Sequence, residues 1–181
     1  MKLKLKIAGF YLPRFVKKRR LRELTEVTAE AFDTQPPEMN GLSLGESLSR
    51  YAIFTRDCAQ AALRNGKGVE AKLRLFNNAH RLGEDLRSEF HVKTMKDVME
   101  LSRIVYMILG IDFDGGQDGR VLVRSCFFSS FYSPAVCGII SSLDDGLLAG
   151  LSGGGRLEFS RRITDGCERC EACLSKEVEQ V

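Results

Sequence analysis

A chain of 181 residues, 44% hydrophobic and 28% charged, is long enough to bury a core and too apolar to remain disordered. A net charge of +3 points to no particular class of partner. The run from Ile104 to Ile111, interrupted by Tyr106 and Gly110, falls far short of the ~20 apolar residues that span a bilayer. The start, Met1 to Ile7, alternates lysine with apolar residues and lacks the apolar centre of a secretory signal, so a cytoplasmic location is expected.

The first ~110 residues carry helical periodicity. Phe15, Val16, Leu21, Leu24, Val27, Ala31 and Phe32 predict a helix over about 12–32, ending before Pro36-Pro37. Lys17, Lys18, Arg19, Arg20 and Arg22 lie on it, a basic run without aromatic stacking residues, which reads as a solvated face and predicts no nucleic-acid partner. Ser43 and Glu46 form a capping-box pattern opening a second helix to about Arg64, which Asn65-Gly66 stops. A third helix is predicted over 69–90. A fourth begins at Thr94, with Asp97 in its first turn, and closes at Gly110; its end is apolar almost all round, as in a central buried helix.

After Gly110 the period changes. Ile111 to Asp114 and Arg120 to Phe128, with Gly115-Gly116 and Asp118-Gly119 between them, predict a hairpin. Pro134 opens a helix over 135–151, and Gly153-Gly154-Gly155 breaks it. Arg156 to Ile163 alternates as a strand, Asp165-Gly166 turns, and a return strand through Cys170 to Leu174 completes a second hairpin. The expected architecture is one α+β domain over 1–174. An N-terminal helical layer (1–110) packs on a small antiparallel sheet of two hairpins separated by a helix (111–174), followed by a tail (175–181).

Five of the six cysteines fall in the last third: Cys126, Cys137, Cys167, Cys170 and Cys173. Cys58 stands apart in a helical stretch and reads as a small core residue. In a reducing compartment, clustered thiols are metal ligands or reactive groups. Thiolates suit zinc or an iron–sulfur cluster, and Cys167-x-x-Cys170-x-x-Cys173 matches the first part of a ferredoxin run without its fourth Cys and Pro. Two geometries exclude each other. If Cys170 and Cys173 share a strand, they point to opposite faces and cannot share a metal; if 167–173 is a loop, all three can converge.

A thiol nucleophile needs a lowered pKa. Cys137 is near a helix start, and Cys170 has Arg169 beside it and Arg161 and Arg162 across the predicted hairpin. His80 and His91 lie far upstream, with surface or capping roles expected. Gly150 to Gly155 lacks the Lys-Ser/Thr ending of a phosphate loop and follows a helix, so it reads as a connection. Asp144 and Asp145, about 100 degrees apart on a helix, do not share a face, and at least one is expected to be exposed.

The stretch Arg162-Ile-Thr-Asp-Gly166, followed three residues later by Cys170-Glu171, resembles the closing hairpin of the 4-vinyl reductase domain and of L-2-amino-thiazoline-4-carboxylic acid hydrolase-like proteins. The order hairpin, Cys-bearing strand, helix with Asp144-Asp145-Gly146, hairpin is similar too, over about 111–174. The resemblance implies an α+β ligand-binding module, often dimerising through its helical layer. Departures are also present: Arg162 stands where the family carries a Cys, Cys167 follows the turn glycine, and Ala172 and Cys173 replace the usual aromatic.

The first expectation for function is therefore a small-ligand or redox sensing module, with Cys126, Cys137, Cys167, Cys170 and Cys173 holding an iron–sulfur cluster or zinc. The second is a thiol-dependent hydrolase of a small sulfur- or nitrogen-containing substrate, with Cys170 or Cys137 as nucleophile and Arg161 and Arg162 binding a substrate carboxylate. The third is a structural module forming homodimers through its helical face.

Overall fold

The computed structural model describes residues 12–175; the Met1–Ile7 start and the expected tail beyond Ser175 lie outside them. Four helices come first: α1 (Arg14–Ala31), α2 (Leu44–Arg64), α3 (Gly68–Phe90) and α4 (Met95–Ile108). Strands β1 (Ile111–Gly115) and β2 (Arg120–Cys126) follow, then a 3-10 turn (Phe127–Ser130) and helices α5 (Pro134–Ile140) and α6 (Ser142–Ser152). Strand β3 (Arg156–Arg161), a second 3-10 turn (Ile163–Asp165) and β4 (Cys170–Ser175) complete the fold. It is the α+β arrangement anticipated from the periodicity, with the helical layer ahead of the strands.

Local chemistry sets the helix ends. Ser43 Oγ accepts from the Glu46 amide while Glu46 returns to the Ser43 amide, and Thr94 and Asp97 repeat the exchange at α4. His91 caps α3 in the left-handed conformation. The basic run on α1 is tied into the fold: Arg19 and Arg20 pair with Glu23, Arg20 reaches Glu89, and Lys18 Nζ donates to the Leu42 carbonyl.

The sheet has strand order β1-β2-β4-β3, antiparallel throughout. Phe113, Val121, Val123, Leu157, Ala172 and Leu174 are buried on its inner face. The opposite face carries ion pairs, among them Arg124 with Asp114 and Arg169 with Glu171, as expected for a sheet covered on one side.

Several boundaries differ from the sequence reading. The strand expected to reach Phe128 ends at Cys126, where a 3-10 turn begins. The helix expected over 135–151 is two, because the chain bends at Ser141. The strand expected to reach Ile163 stops at Arg161: its register with β4 shifts between Phe159 and Arg161, and a 3-10 turn begins at Ile163. Ser175 closes β4 and is not part of a tail. In addition, Pro134–Ser152 has the length and mean hydropathy (1.3) of a membrane span, which the sequence reading overlooked; 61% of that window is buried in this fold.

The tightest packing joins α3 and α6. A Cβ added at Gly146 would lie 2.2 Å from the Phe76 carbonyl oxygen, and one at Gly150 would lie 2.2 Å from that of His80. From the other side, a Cβ at Gly83 would lie 2.4 Å from the Leu147 carbonyl oxygen. Backbone therefore meets backbone, and this contact fixes where α6 presents its next residues, Leu143, Asp144 and Leu147.

Candidate functional site

Between the helical layer and the inner end of the sheet lies a cavity of about 430 Å³. That is within the range of small-molecule sites. Val16 and Leu24 of α1, Leu82 and Leu86 of α3, Val105 and Ile108 of α4, and Ile140, Leu143 and Leu147 of α5 and α6 give it apolar walls. Arg20 and Glu23 line it at the α1 side.

The polar groups collect around α6 and the second 3-10 turn. Asp144 Oδ1 accepts a 2.8 Å hydrogen bond from the Tyr106 hydroxyl, and the Tyr106 ring stacks on Phe113 with centroids 4.7 Å apart. Burial raises the Asp144 pKa to about 6, while the Tyr106 hydrogen bond and nearby Arg162 hold it back. Asp144 keeps some accessible surface because it lines the cavity. Burial and Asp144 together push the Tyr106 phenol well above its ordinary value, so it stays a donor. Asp145 has a structural role: its Oδ1 accepts from the Leu157 amide at 2.8 Å. Neither carboxylate is exposed, contrary to the sequence reading; one faces the cavity and the other ties β3 to α6.

The five C-terminal cysteines are divided. Cys126, Cys137 and Cys170 line the cavity. Cys170 and Cys173 both lie on β4 at odd spacing, so Cys173 faces the charged outer side, beside Arg120 and Glu158 in the register. Cys167 lies in the turn before β4, where its amide bonds to the Arg162 carbonyl. Of the two geometries left open by the sequence, the strand holds, and a metal centre drawing on all five thiols does not fit it. Among the described residues, no group of three or more His, Cys, Asp or Glu side chains is placed to hold a metal ion.

The three cavity thiols are not activated. Burial raises Cys126 to about 12 and also raises Cys137 and Cys170, outweighing the Ile163 amide that donates to Cys170 Sγ at 3.3 Å. A protonated thiol is a poor nucleophile. Cys58 is likewise raised to about 11 by burial. Iodoacetamide at pH 8 is expected to modify Cys173 first and Cys126 last, as peptide mass mapping over time would show; early labelling of Cys126 would contradict this description of the cavity.

The two arginines also diverge. Arg161 points outward, 4.0 Å from Glu171. Past the β3 irregularity Arg162 turns inward, where its Nη2 donates to Ser141 Oγ at 3.2 Å and its guanidinium lies 4.6 Å over the Phe159 ring. His80 sits 3.4 Å from Glu84 and His91 caps α3; neither lines the cavity. Sequence reasoning missed Tyr106, Thr164 and Ser141. Tyr106 interrupts an apolar helical run, and that is the one signal that marks it.

Compared with protein-family models, curated proteins and solved structures, the chain has no significant match.

Proposed function

We propose that this protein is a binding module for a small, mainly apolar ligand held between its helical layer and its sheet. The cavity carries the reading: about 430 Å³ lined by aliphatic side chains, with a few polar groups gathered at one place. The resemblance of 162–171 to the 4-vinyl reductase domain supports the same reading.

The raised pKa values of Cys126, Cys137 and Cys170 support binding over thiol catalysis. The test uses N-phenyl-1-naphthylamine, a neutral fluorophore that brightens in apolar surroundings. The protein is expected to bind it at micromolar concentration and to gain thermal stability as it does. Val105→Trp, which places an indole in the cavity, is expected to abolish binding while the far-UV spectrum is retained. A folded wild-type protein that leaves the probe dark would sink the proposal, as would unchanged binding by Val105→Trp.

A further inference from the structure

Two polar atoms near the polar end of the cavity, Arg162 Nε and Thr164 Oγ1, are buried with no hydrogen-bond partner among the described residues. Arg162 is not itself a lining residue and reaches the cavity wall through Ser141. Buried donors are almost always paired, because leaving one unpaired costs its full desolvation. Thr164 lines the cavity, as does Ser141, which already accepts from Arg162 Nη2. The Thr164 hydroxyl is near enough to the Cys137 thiol to lower its pKa, yet makes no well-formed bond there.

Resting on the binding function proposed above, we infer that the ligand carries a carboxylate at one end of its apolar body. The carboxylate would be held at the end of the cavity formed by Thr164 and Ser141, beside Arg162. Its oxygens would accept from the Thr164 hydroxyl and the guanidinium, supplying the acceptors that both lack. Charge favours this head: Arg162 is the cation near Cys137, Asp144 and Cys170, lowering the pKa of each. Asp144, with a pKa of about 6, is largely ionised at pH 7.5 and opposes a neighbouring carboxylate unless it takes up a proton as the ligand binds, which its raised pKa makes less costly. An ammonium head placed at the same end would meet the guanidinium and leave Arg162 Nε and Thr164 Oγ1 without an acceptor, so it could be drawn only toward Asp144 or Glu23.

The 3-10 turn and the β3 irregularity make this arrangement possible. A strand continued to Ile163 would have kept alternation through 161–164 and set Arg162 and Thr164 on one side of the sheet at its edge. The break instead folds Thr164 against the cavity, with Arg162 turned to Ser141.

The experiment compares dodecanoate with dodecylamine by displacement of N-phenyl-1-naphthylamine from the full chain at pH 7.5. Dodecanoate is expected to bind at least about tenfold more tightly, the scale of one charge-assisted hydrogen bond. Thr164→Val and Arg162→Gln should each weaken dodecanoate by about tenfold or more, and weaken it well beyond any change in fluorophore affinity measured directly on the same variant. Because Arg162→Gln also removes a fold contact, Thr164→Val is the deciding variant. Equal affinity for the two amphiphiles, preference for the amine, or indifference of dodecanoate to Thr164→Val would overturn the carboxylate assignment and leave the binding module standing. Failure of the fluorophore itself to bind would instead overturn the binding reading.

Discussion

Gly150→Ala is expected to destabilise the protein by on the order of 3 kcal/mol or more, seen as a melting temperature lower by about 6–12 °C. Two effects oppose each other. Alanine is the better helix former, by about 0.8–1 kcal/mol. Against this, its methyl would lie 2.2 Å from the His80 carbonyl oxygen and 2.8 Å from the Glu84 nitrogen. These are backbone atoms of a neighbouring helix and cannot rotate away, so α3 and α6 must separate and lose their packing. Sterics win by a wide margin. Gly146→Ala should behave alike, with its methyl 2.2 Å from the Phe76 carbonyl oxygen. Gly138→Ala in α5 is the control: nothing lies within 4 Å of its added Cβ, so propensity alone acts and stability should rise by about 0.5–1 kcal/mol. Urea denaturation of the three variants decides the matter, and equal stabilities for Gly138→Ala and Gly150→Ala would refute the close seam.

The second large effect concerns Asp144. Its folded pKa of about 6 stands above the ordinary value of 3.8, because burial disfavours the charge. Below pH 4 the carboxyl is protonated in both folded and unfolded chains, and no penalty is present. Between pH 4 and 6 the unfolded chain ionises while the folded one holds its proton, so stability falls as pH rises. Above pH 6 the full penalty remains, on the order of 3 kcal/mol. Asp144→Asn is therefore expected to be more stable than wild type by about that amount at pH 7 and no different at pH 3.5. Tyr106→Phe removes the hydrogen bond that holds the pKa down, which should extend the pH-dependent loss to higher pH. Denaturation midpoints across pH 3.5 to 8 measure both. A constant offset for Asp144→Asn at every pH would show that the residue acts by packing, without its charge.

The sequence was legible wherever a local rule sets the structure. Capping boxes at Ser43 and Thr94, the change from helical to alternating period after Gly110, and both hairpins depend on neighbours a few residues apart. The site was less so, because its parts come from distant segments. Tyr106 on α4, Asp144 on α6 and Thr164 after β3 meet only once the sheet and helices have packed, and no spacing rule joins them. Cys170 and Cys173 illustrate the point from the other side. The alternation rule stated in advance what a strand would do to them, but whether the segment is a strand depends on pairing with β2 and β3. Charge alone picks out both Arg161 and Arg162; a change of register that the sequence does not mark sends Arg161 to the outer face and Arg162 toward Ser141.

The glycine seam has a consequence for selectivity. Where α3 and α6 touch there is no layer of side chains to repack, so the wall bearing Leu82, Leu86, Leu143, Asp144 and Leu147 behaves as one stiff plate. α1 on the other side meets the fold through side chains, such as Arg20 with Glu89 and Asn78 with the Val27 carbonyl, which can shift without breaking a helix. The cavity thus has one unyielding wall and one compliant wall. Ligands should be discriminated sharply by the group they place against Asp144 and Thr164, and only loosely by the length and branching of the part that lies under α1.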